Sequence, residues 1–336
     1  MRVLDDFEDA ETRETEPPKR RRRRRVIIVA MSVVALLVVG VAAGYLLFLN
    51  QTVANNVQHE SLLPKADSGT PAPTKKAGTE DAQNILFIGS DARAGLAGAR
   101  SDVIVLMHVA ADRKTVTLVH FPRDLYVDIP GRGKDKINAA FAYGGSPLLV
   151  QTLQDLVGVP IDHVAITNFD GFKKMTDAVG GVNVYVEEPS TSGGYTFRKG
   201  YQQMNGAQAL AFVRERKQLS EGDISRGRRQ QAFIKALLLK SLSRDVVTNP
   251  VKLAQFVDAG TENLIVDQDF SVGDMRSQAL SLRNLRGNDI RFITAPFTGF
   301  GTSPQGASID ILDEPGMEAL GEALQNDDLA SYQPTG

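Results

Sequence analysis

The sequence has no cysteine, no tryptophan and only four histidines in 336 residues. Without cysteine, disulfide scaffolds, Cys-ligated zinc, iron–sulfur clusters and cysteine nucleophiles are excluded. It has no H-E-x-x-H, no G-x-S-x-G and no G-x-G-x-x-G, so zinc-protease, serine-hydrolase and dinucleotide-binding readings have no motif behind them. An excess of one charge is also missing. The 38 Lys+Arg and 40 Asp+Glu leave a net charge of -2, which argues against a chain that coats nucleic acid with a basic surface. A hydrophobic fraction of 42% and a charged fraction of 23% are globular values, and the length suits one large domain or two ordinary ones.

These averages conceal a segregated N-terminus. Residues 1–18 carry Asp5, Asp6, Glu8, Asp9, Glu11, Glu14 and Glu16 ahead of Pro17-Pro18, and Lys19 to Arg25 are all basic. Together, 1–25 read as a disordered acidic and basic tail. Val26 to Leu49 is a run of 24 residues without a charge. As a helix it would be about 36 Å long, against a hydrocarbon core of about 30 Å. A cleaved signal peptide would have an apolar core of only about 7–15 residues and a small-residue cleavage site. Tyr45-Leu46-Leu47-Phe48-Leu49 supplies no such site. The expectation is therefore a retained transmembrane helix over 26–49. Seven basic residues flank it on the N-terminal side and none occurs between Asn50 and Pro64, which predicts a cytoplasmic tail and an extracytoplasmic remainder. Residues 50–83, with Pro64, Pro71, Pro73, Gly69 and Gly78, read as a linker. The folded domain is expected over 84–326, and 327–336 as a flexible end.

Within that domain, strands are expected at Ile85–Ile88, Val103–Val109, Val116–Phe121, His163–Thr167, Val182–Val186 and Ile290–Thr294. Helices are expected near 148–157, 171–179, 207–212, 225–242, 250–259, 272–285 and 314–324. This pattern predicts a layered mixed α/β domain, a central sheet flanked by helices around one core.

Four clusters carry candidate chemistry. Asp91 follows one predicted strand and Asp102 precedes the next, across a loop that also holds Arg93 and Arg100. Two carboxylates at one sheet end suit Mg²⁺, although the same spacing suits strand and turn caps. Phe121-Pro122-Arg123-Asp124 puts an Arg and an Asp just beyond an apolar strand, where Arg can take phosphate bidentately or simply pair with its neighbour. Lys136 lies in a Gly133-Lys134-Asp135-Lys136 run that is not a P-loop, and a solvated lysine is the plain alternative to a phosphate contact. The fourth cluster is Arg214 and Arg216, then Asp223, Arg226, Arg228, Arg229 and Gln230. Arg214 and Arg216 share a face only if the chain is extended between them. Arg226, Arg229 and Gln230 form one stripe at a helix start, where backbone N–H groups favour anions and a solvated basic face is equally natural.

Taken in order, NILFIGSDAR (84–93), RSDVIVLMHV (100–109), VTLVHFPRDLYVDIPG (116–131), KINAAFAYGG (136–145), FVRERK (212–217) and DISRGRRQQ (223–231) resemble the LytR–CpsA–Psr family of cell-wall glycopolymer transferases. The resemblance implies a membrane-anchored phosphotransferase of the bacterial cell membrane. Such an enzyme moves a glycopolymer from a polyprenyl pyrophosphate carrier onto peptidoglycan, with Mg²⁺ (or Mn²⁺) and no nucleic-acid partner. Carried over by motif, Asp91 and Asp102 match the metal site, and Arg100, Arg123, Arg214 and Arg216 match pyrophosphate-binding arginines. Lys136, Arg226 and Gln230 match further head-group contacts, with Arg93 placed beside them. Asp223 matches an acidic residue that orients arginines. Asp91, Asp102 or Asp124 would accept the acceptor's proton. The family's lipid tunnel would have Phe169, Phe172, Phe233, Leu237 and Leu238 as wall candidates, residues that ordinary core packing explains as well. Two other activities fit the same residues, a polyprenyl pyrophosphate phosphatase and a non-catalytic, membrane-tethered wall-binding module.

Overall fold

The computed structural model of the chain describes residues 19–65, 71–90, 101–216, 218–220 and 223–334. The chain divides into two compact units, Met1–Asn50 and Gln51–Gly336. Helix α1 (Lys19–Asn56) occupies most of the first unit and contains the segment 26–49. Among the described residues no helix is long and apolar enough to cross a membrane, and most side chains of the first half of α1 lie outside the described set.

The second unit begins with strands β1 (Gln58–Glu60), β2 (Gln83–Ser90), β3 (Ser101–Val109), β4 (Val116–Phe121), β5 (Leu125–Ile129) and β6 (Gly133–Lys136), which lead into α2 (Ile137–Val157). Next come β7 (His163–Thr167), α3 (Phe169–Ala178), β8 (Val182–Val186), β9 (Ser190–Ser192), β10 (Tyr195–Phe197) and β11 (Gly200–Met204). A mostly helical stretch follows, with α4 (Gly206–Arg214), α5 (Asp223–Ser241), α6 (Arg244–Val247), α7 (Pro250–Thr261), β12 (Leu264–Asp267) and α8 (Val272–Ser281). The chain closes with β13 (Ile290–Thr294), β14 (Phe297–Thr302), β15 (Ser308–Leu312) and α9 (Glu314–Gln325).

Seven strands form the main sheet in the order β1-β12-β7-β2-β3-β4-β13. Alternation along β3 sets its two faces. Ile104 and Leu106 pack with Leu149 and Leu153 of α2 and Leu320 and Leu324 of α9. Val105 turns the other way and joins Val116, Leu118 and Leu285 beneath Leu238 and Leu239 of α5. The sheet is thus the middle layer of three, a mixed α/β domain as the sequence predicts. A smaller sheet, β14-β15-β5-β6, adjoins it in sequence through the short turn from β4 to β5. Helix α2 starts at Ile137, well before the periodic run at 148, and is interrupted at Gly144 and Gly145. It stops at Gly158, whose φ of 66° is left-handed and whose N–H caps Gln154 O.

Two boundaries differ from expectation. Residues 51–65 are not a free linker. β1 pairs with β12, Val57 and Leu62 are buried, and Ser146 Oγ donates to Leu62 O at 2.8 Å. A few apolar residues among polar neighbours were enough to add an edge strand. The end of the chain also packs: Leu329 and Tyr332 are buried, and the Arg291 guanidinium donates to the carbonyls of Leu329, Ala330 and Tyr332.

Candidate active site

Register places the ends of five strands side by side. Ser90 of β2 pairs with Ser101 of β3, Gly89 with Thr167 of β7, Ile104 with Phe121 of β4, and His120 with Thr294 of β13. Residues that follow β2, β7, β4 and β13 therefore emerge at one end of the sheet, the usual location of ligand crevices in open α/β sheets. The start of α5 covers this end and is fastened by Glu188. That carboxylate accepts from Ser225 Oγ at 2.7 Å and Ser220 N at 2.8 Å, bonds that hold its pKa down at about 2.

Here a polar cavity of about 190 Å³ is lined by His120, Pro122, Arg123, Asp124, Arg226, Gly227, Arg228, Gln230, Gln231, Thr294, Phe297 and Asp310. Asp124 is nearly buried, and its carboxylate takes Lys136 Nζ at 3.0 Å and Arg123 Nε at 3.6 Å. Lys136 reaches it because β5 and β6 form a hairpin, with Tyr126 opposite Lys136. Asp310 N donates to Asp124 O at 2.9 Å and ties the smaller sheet to the cavity wall.

A second cavity of about 270 Å³ lies between the sheet and α3 and α5. Its walls are overwhelmingly apolar: Phe87, Val103, Val105, Met107, Leu118, Phe169, Phe172, Met175, Ile234, Leu237, Leu238 and Phe256 are among them. Gln230 lines both cavities. The guanidinium of Arg214 lies 4.2 Å above the ring of Phe169, a cation–π contact at the apolar wall. Apolar room for a tail thus adjoins a cationic room for an anion, the shape of an amphiphile.

The structure brings Arg123, Asp124, Arg226 and Gln230 together, with Lys136 joined through Asp124 and Arg214 at the neighbouring wall. Glu215 has an extended backbone (φ -68°, ψ 134°), the condition for Arg214 and Arg216 to share a face, but Arg216 lines neither cavity. Asp91, Arg93 and Arg100 lie outside the described residues, as do the side chains of Asp102 in β3 and Asp223 at the start of α5. Among the described residues no group of three or more His, Cys, Asp or Glu could hold a metal ion.

Two readings need correction. Arg229 does not extend the basic stripe. It is buried, donates to Ser190 Oγ at 2.9 Å and Glu188 O at 2.6 Å, and stacks 4.5 Å over Phe212. Phe233 is not a cavity wall but fully buried core, 4.1 Å from the Phe172 ring.

The sequence reading missed His120, Asp310 and Phe297. His120 sits in a strand whose six residues are all buried, so nothing in the pattern marks it as polar-site lining. Its Nδ1 is buried and has no hydrogen-bond partner among the described residues. Burial, with help from the Arg226 charge, pushes its pKa down to about 4, so the ring is neutral near pH 7. A Cβ at position 227 would come within 3.3 Å of His120 Cε1, so glycine lets α5 approach the ring closely.

Comparisons with known proteins identify the fold and the family. The chain is 34% identical over 279 residues to the polyisoprenyl-teichoic acid–peptidoglycan teichoic acid transferase TagU of Oceanobacillus iheyensis, covering 81% of this chain and 84% of that protein. It is 32% identical over 298 residues to the cell wall biosynthesis protein LcpA of Corynebacterium glutamicum, covering 73% of this chain and 57% of that protein. Among solved structures, Bacillus subtilis TagV superposes with a TM-score of 0.64 at 27% identity, over 76% of this chain and 99% of that one. TagT bound to LI-WTA superposes with a TM-score of 0.61 at 29% identity, over 80% of this chain and 99% of that one. The model of the LytR_cpsA_psr family matches residues 46–326, and the chain belongs to the LytR–CpsA–Psr family.

Proposed function

We propose that the protein is a membrane-anchored transferase that moves a glycopolymer from a polyprenyl pyrophosphate carrier onto peptidoglycan. The observation that carries this reading is the junction at Gln230 between an arginine-lined polar cavity and an apolar one. A lipid pyrophosphate has the matching layout, a charged head joined to a long apolar tail. Arg123 and Arg226 would bind the pyrophosphate and stabilise charge that develops on the leaving lipid phosphate. The apolar cavity would orient the carrier and exclude water from the reacting bond. Asp124, held between Lys136 and Arg123, would fix the Arg123 fork at the cavity.

The acceptor hydroxyl gains the phosphoryl group and loses its proton, and the carrier leaves as a polyprenyl phosphate. No nucleotide is needed, because the carrier bond is already activated. Mg²⁺, with Mn²⁺ as the alternative, belongs to the proposal with Asp91 and Asp102 as ligands, and would supply charge neutralisation at the phosphates. What supports it is the position of β3, whose Ser101 faces Ser90 at the same sheet end. Anchorage over 26–49 rests on the 24 uncharged residues and the preceding basic run. An anchored enzyme and its lipid donor share one surface, which raises their effective concentration.

The test is Arg123→Ala in an assay that follows transfer from a lipid-linked glycopolymer to peptidoglycan. Transfer should vanish while the fold stays intact. Undiminished transfer would remove Arg123 from the site.

A further inference from the structure

Helix α5 joins the two cavities and then leads to a different kind of surface. Arg226 and Gln230, near its start, line the polar cavity, and Gln230, Ile234, Leu237, Leu238 and Ser241 line the apolar one. The last five recur at helical spacing, so one stripe of α5 faces the apolar cavity down to its final residue. From Arg226 to Ser241 is about 22 Å of helix.

Beyond Ser241 the exposed side chains become aliphatic and basic. Leu242, Val247 and Val251 are 39%, 50% and 64% exposed. Lys240, Arg244 and Lys252 stand among them, and Asp245 is the one acid between 240 and 252. Asp245 takes Lys240 Nζ at 2.9 Å and Lys252 Nζ at 2.7 Å, which ties the end of α5, α6 and the start of α7 into one platform. Helix α7 is also where the chain arrives from the uncharged run. Asn56 Nδ2 donates to Asp258 Oδ1 at 2.9 Å and to Thr261 Oγ1 at 3.1 Å, and Phe256, two residues before Asp258, lines the apolar cavity. The uncharged run ends at Leu49, and the seven residues from there to Asn56 reach at most about 25 Å.

We propose that this platform rests on the phospholipid bilayer and that the carrier's tail passes there between the bilayer and the apolar cavity. The inference rests on the anchor over 26–49 and the lipid donor proposed above. Three observations choose a lipid surface as the occupant. The aliphatic side chains would enter the headgroup boundary while the ammonium and guanidinium groups take lipid phosphates. The chain itself holds α7 within a short tether of the residue where it would leave the membrane. The apolar cavity runs along α5 to Ser241, the residue before Leu242, so a tail in it is directed to this surface. Helix α5 then acts as a spacer. The pyrophosphate binds at its start, about 22 Å of helix from the platform, and the tail follows the apolar stripe back towards the bilayer.

The chain has no cysteine, so one introduced thiol is a unique reporter. Full-length Val251→Cys is labelled with a bimane fluorophore and reconstituted into phosphatidylcholine–phosphatidylglycerol vesicles, with and without lipid that carries a doxyl quencher near its headgroup. Doxyl lipid should lower the emission at least about threefold, as for a side chain seated in the headgroup boundary. Emission unchanged by doxyl lipid would overturn the docking and leave the patch to a protein partner. A second variant reads the passage of the tail. Val247→Glu/Val251→Glu should lower transfer from a vesicle-embedded polyprenyl donor about tenfold, since charges enter the headgroup boundary poorly. Its binding of farnesyl pyrophosphate in detergent should match wild type, because neither valine lines a cavity. Wild-type transfer by this pair would overturn the passage of the tail at this surface. Two controls separate this inference from the reading beneath it. Release of wild type from the vesicles by alkaline carbonate would sink the anchor, and the inference with it. Wild type that fails to bind farnesyl pyrophosphate would sink the reading of the two cavities. A retained chain that binds this ligand, yet shows no quenching at 251, overturns the docking alone.

Discussion

Lys136 Nζ sits 3.0 Å from Asp124 Oδ1, and the same carboxylate meets Arg123 Nε at 3.6 Å. Two cations from different elements thus converge on one nearly buried acid. Removing the acid leaves both cations uncompensated at the cavity wall. Asp124→Asn should cost about 2 kcal/mol of stability and lower transfer at least tenfold, because Arg123 loses its anchor. Denaturant midpoints and turnover on the same preparation check both halves. A variant with normal turnover would show that Asp124 neither positions Arg123 nor takes the proton.

Much of this site is legible in the sequence, and what is not has a physical reason. An Arg-Asp pair just past an apolar strand is readable at Arg123 and Asp124, because strand ends at a sheet edge are where polar groups can meet. The Lys136 partner is not readable, since it depends on the register of a hairpin whose strands are short and half polar. Arg229 follows the same helical spacing as Arg226 and Gln230 yet is captured by Phe212 and the Glu188 carbonyl. Those partners are far away in sequence, and spacing carries no information about them. The edge strand β1 escapes for a similar reason: three residues show no period, and only its neighbour β12 makes it a strand.

The apolar cavity predicts an effect that separates tail from head. Leu237 lines the cavity of about 270 Å³, which has room for a larger side chain. Leu237→Trp should fill it, changing stability by no more than about 1 kcal/mol. Affinity for a long-chain polyprenyl pyrophosphate should fall at least tenfold, while inorganic pyrophosphate binds as before. Calorimetric titration with the two ligands reads the difference. Equal weakening of both would mean that the tail does not enter this cavity.

The proposed metal predicts dependence on both the ion and one strand position. Stripping divalent ions with EDTA should abolish transfer, and Mg²⁺ or Mn²⁺ should restore it. Asp102, the second residue of β3, stands at the sheet end where Ser90 and Ser101 meet. Asp102→Asn should raise the Mg²⁺ concentration for half-maximal transfer at least tenfold, since one charged ligand is lost. An unchanged Mg²⁺ requirement in this variant would remove Asp102 from the metal site.

His120 predicts how the protein responds to acid. The folded chain holds its pKa at about 4, against 6.5 for an unconstrained imidazole, mainly through burial and further through the Arg226 charge. Between those values the unfolded chain binds a proton that the folded chain refuses, so stability falls as pH drops from about 6.5 towards 4. The full loss at lower pH is on the order of 3 kcal/mol for such a difference. His120→Asn removes the titrating group, so the variant should lose less stability than wild type across that window. Urea midpoints at pH 4, 5, 6 and 7 measure the two slopes. His108 is a buried neighbour in composition but not in position: burial lowers its pKa too, while Asp327 at 2.8 Å opposes the shift. An acid response unchanged by His120→Asn would therefore assign the effect to His108 and the carboxylates. A flattened response would place an uncharged imidazole beside Arg226. Charged pyrophosphate bound there would then favour protonating it, and donor binding should become tighter as pH falls towards 6.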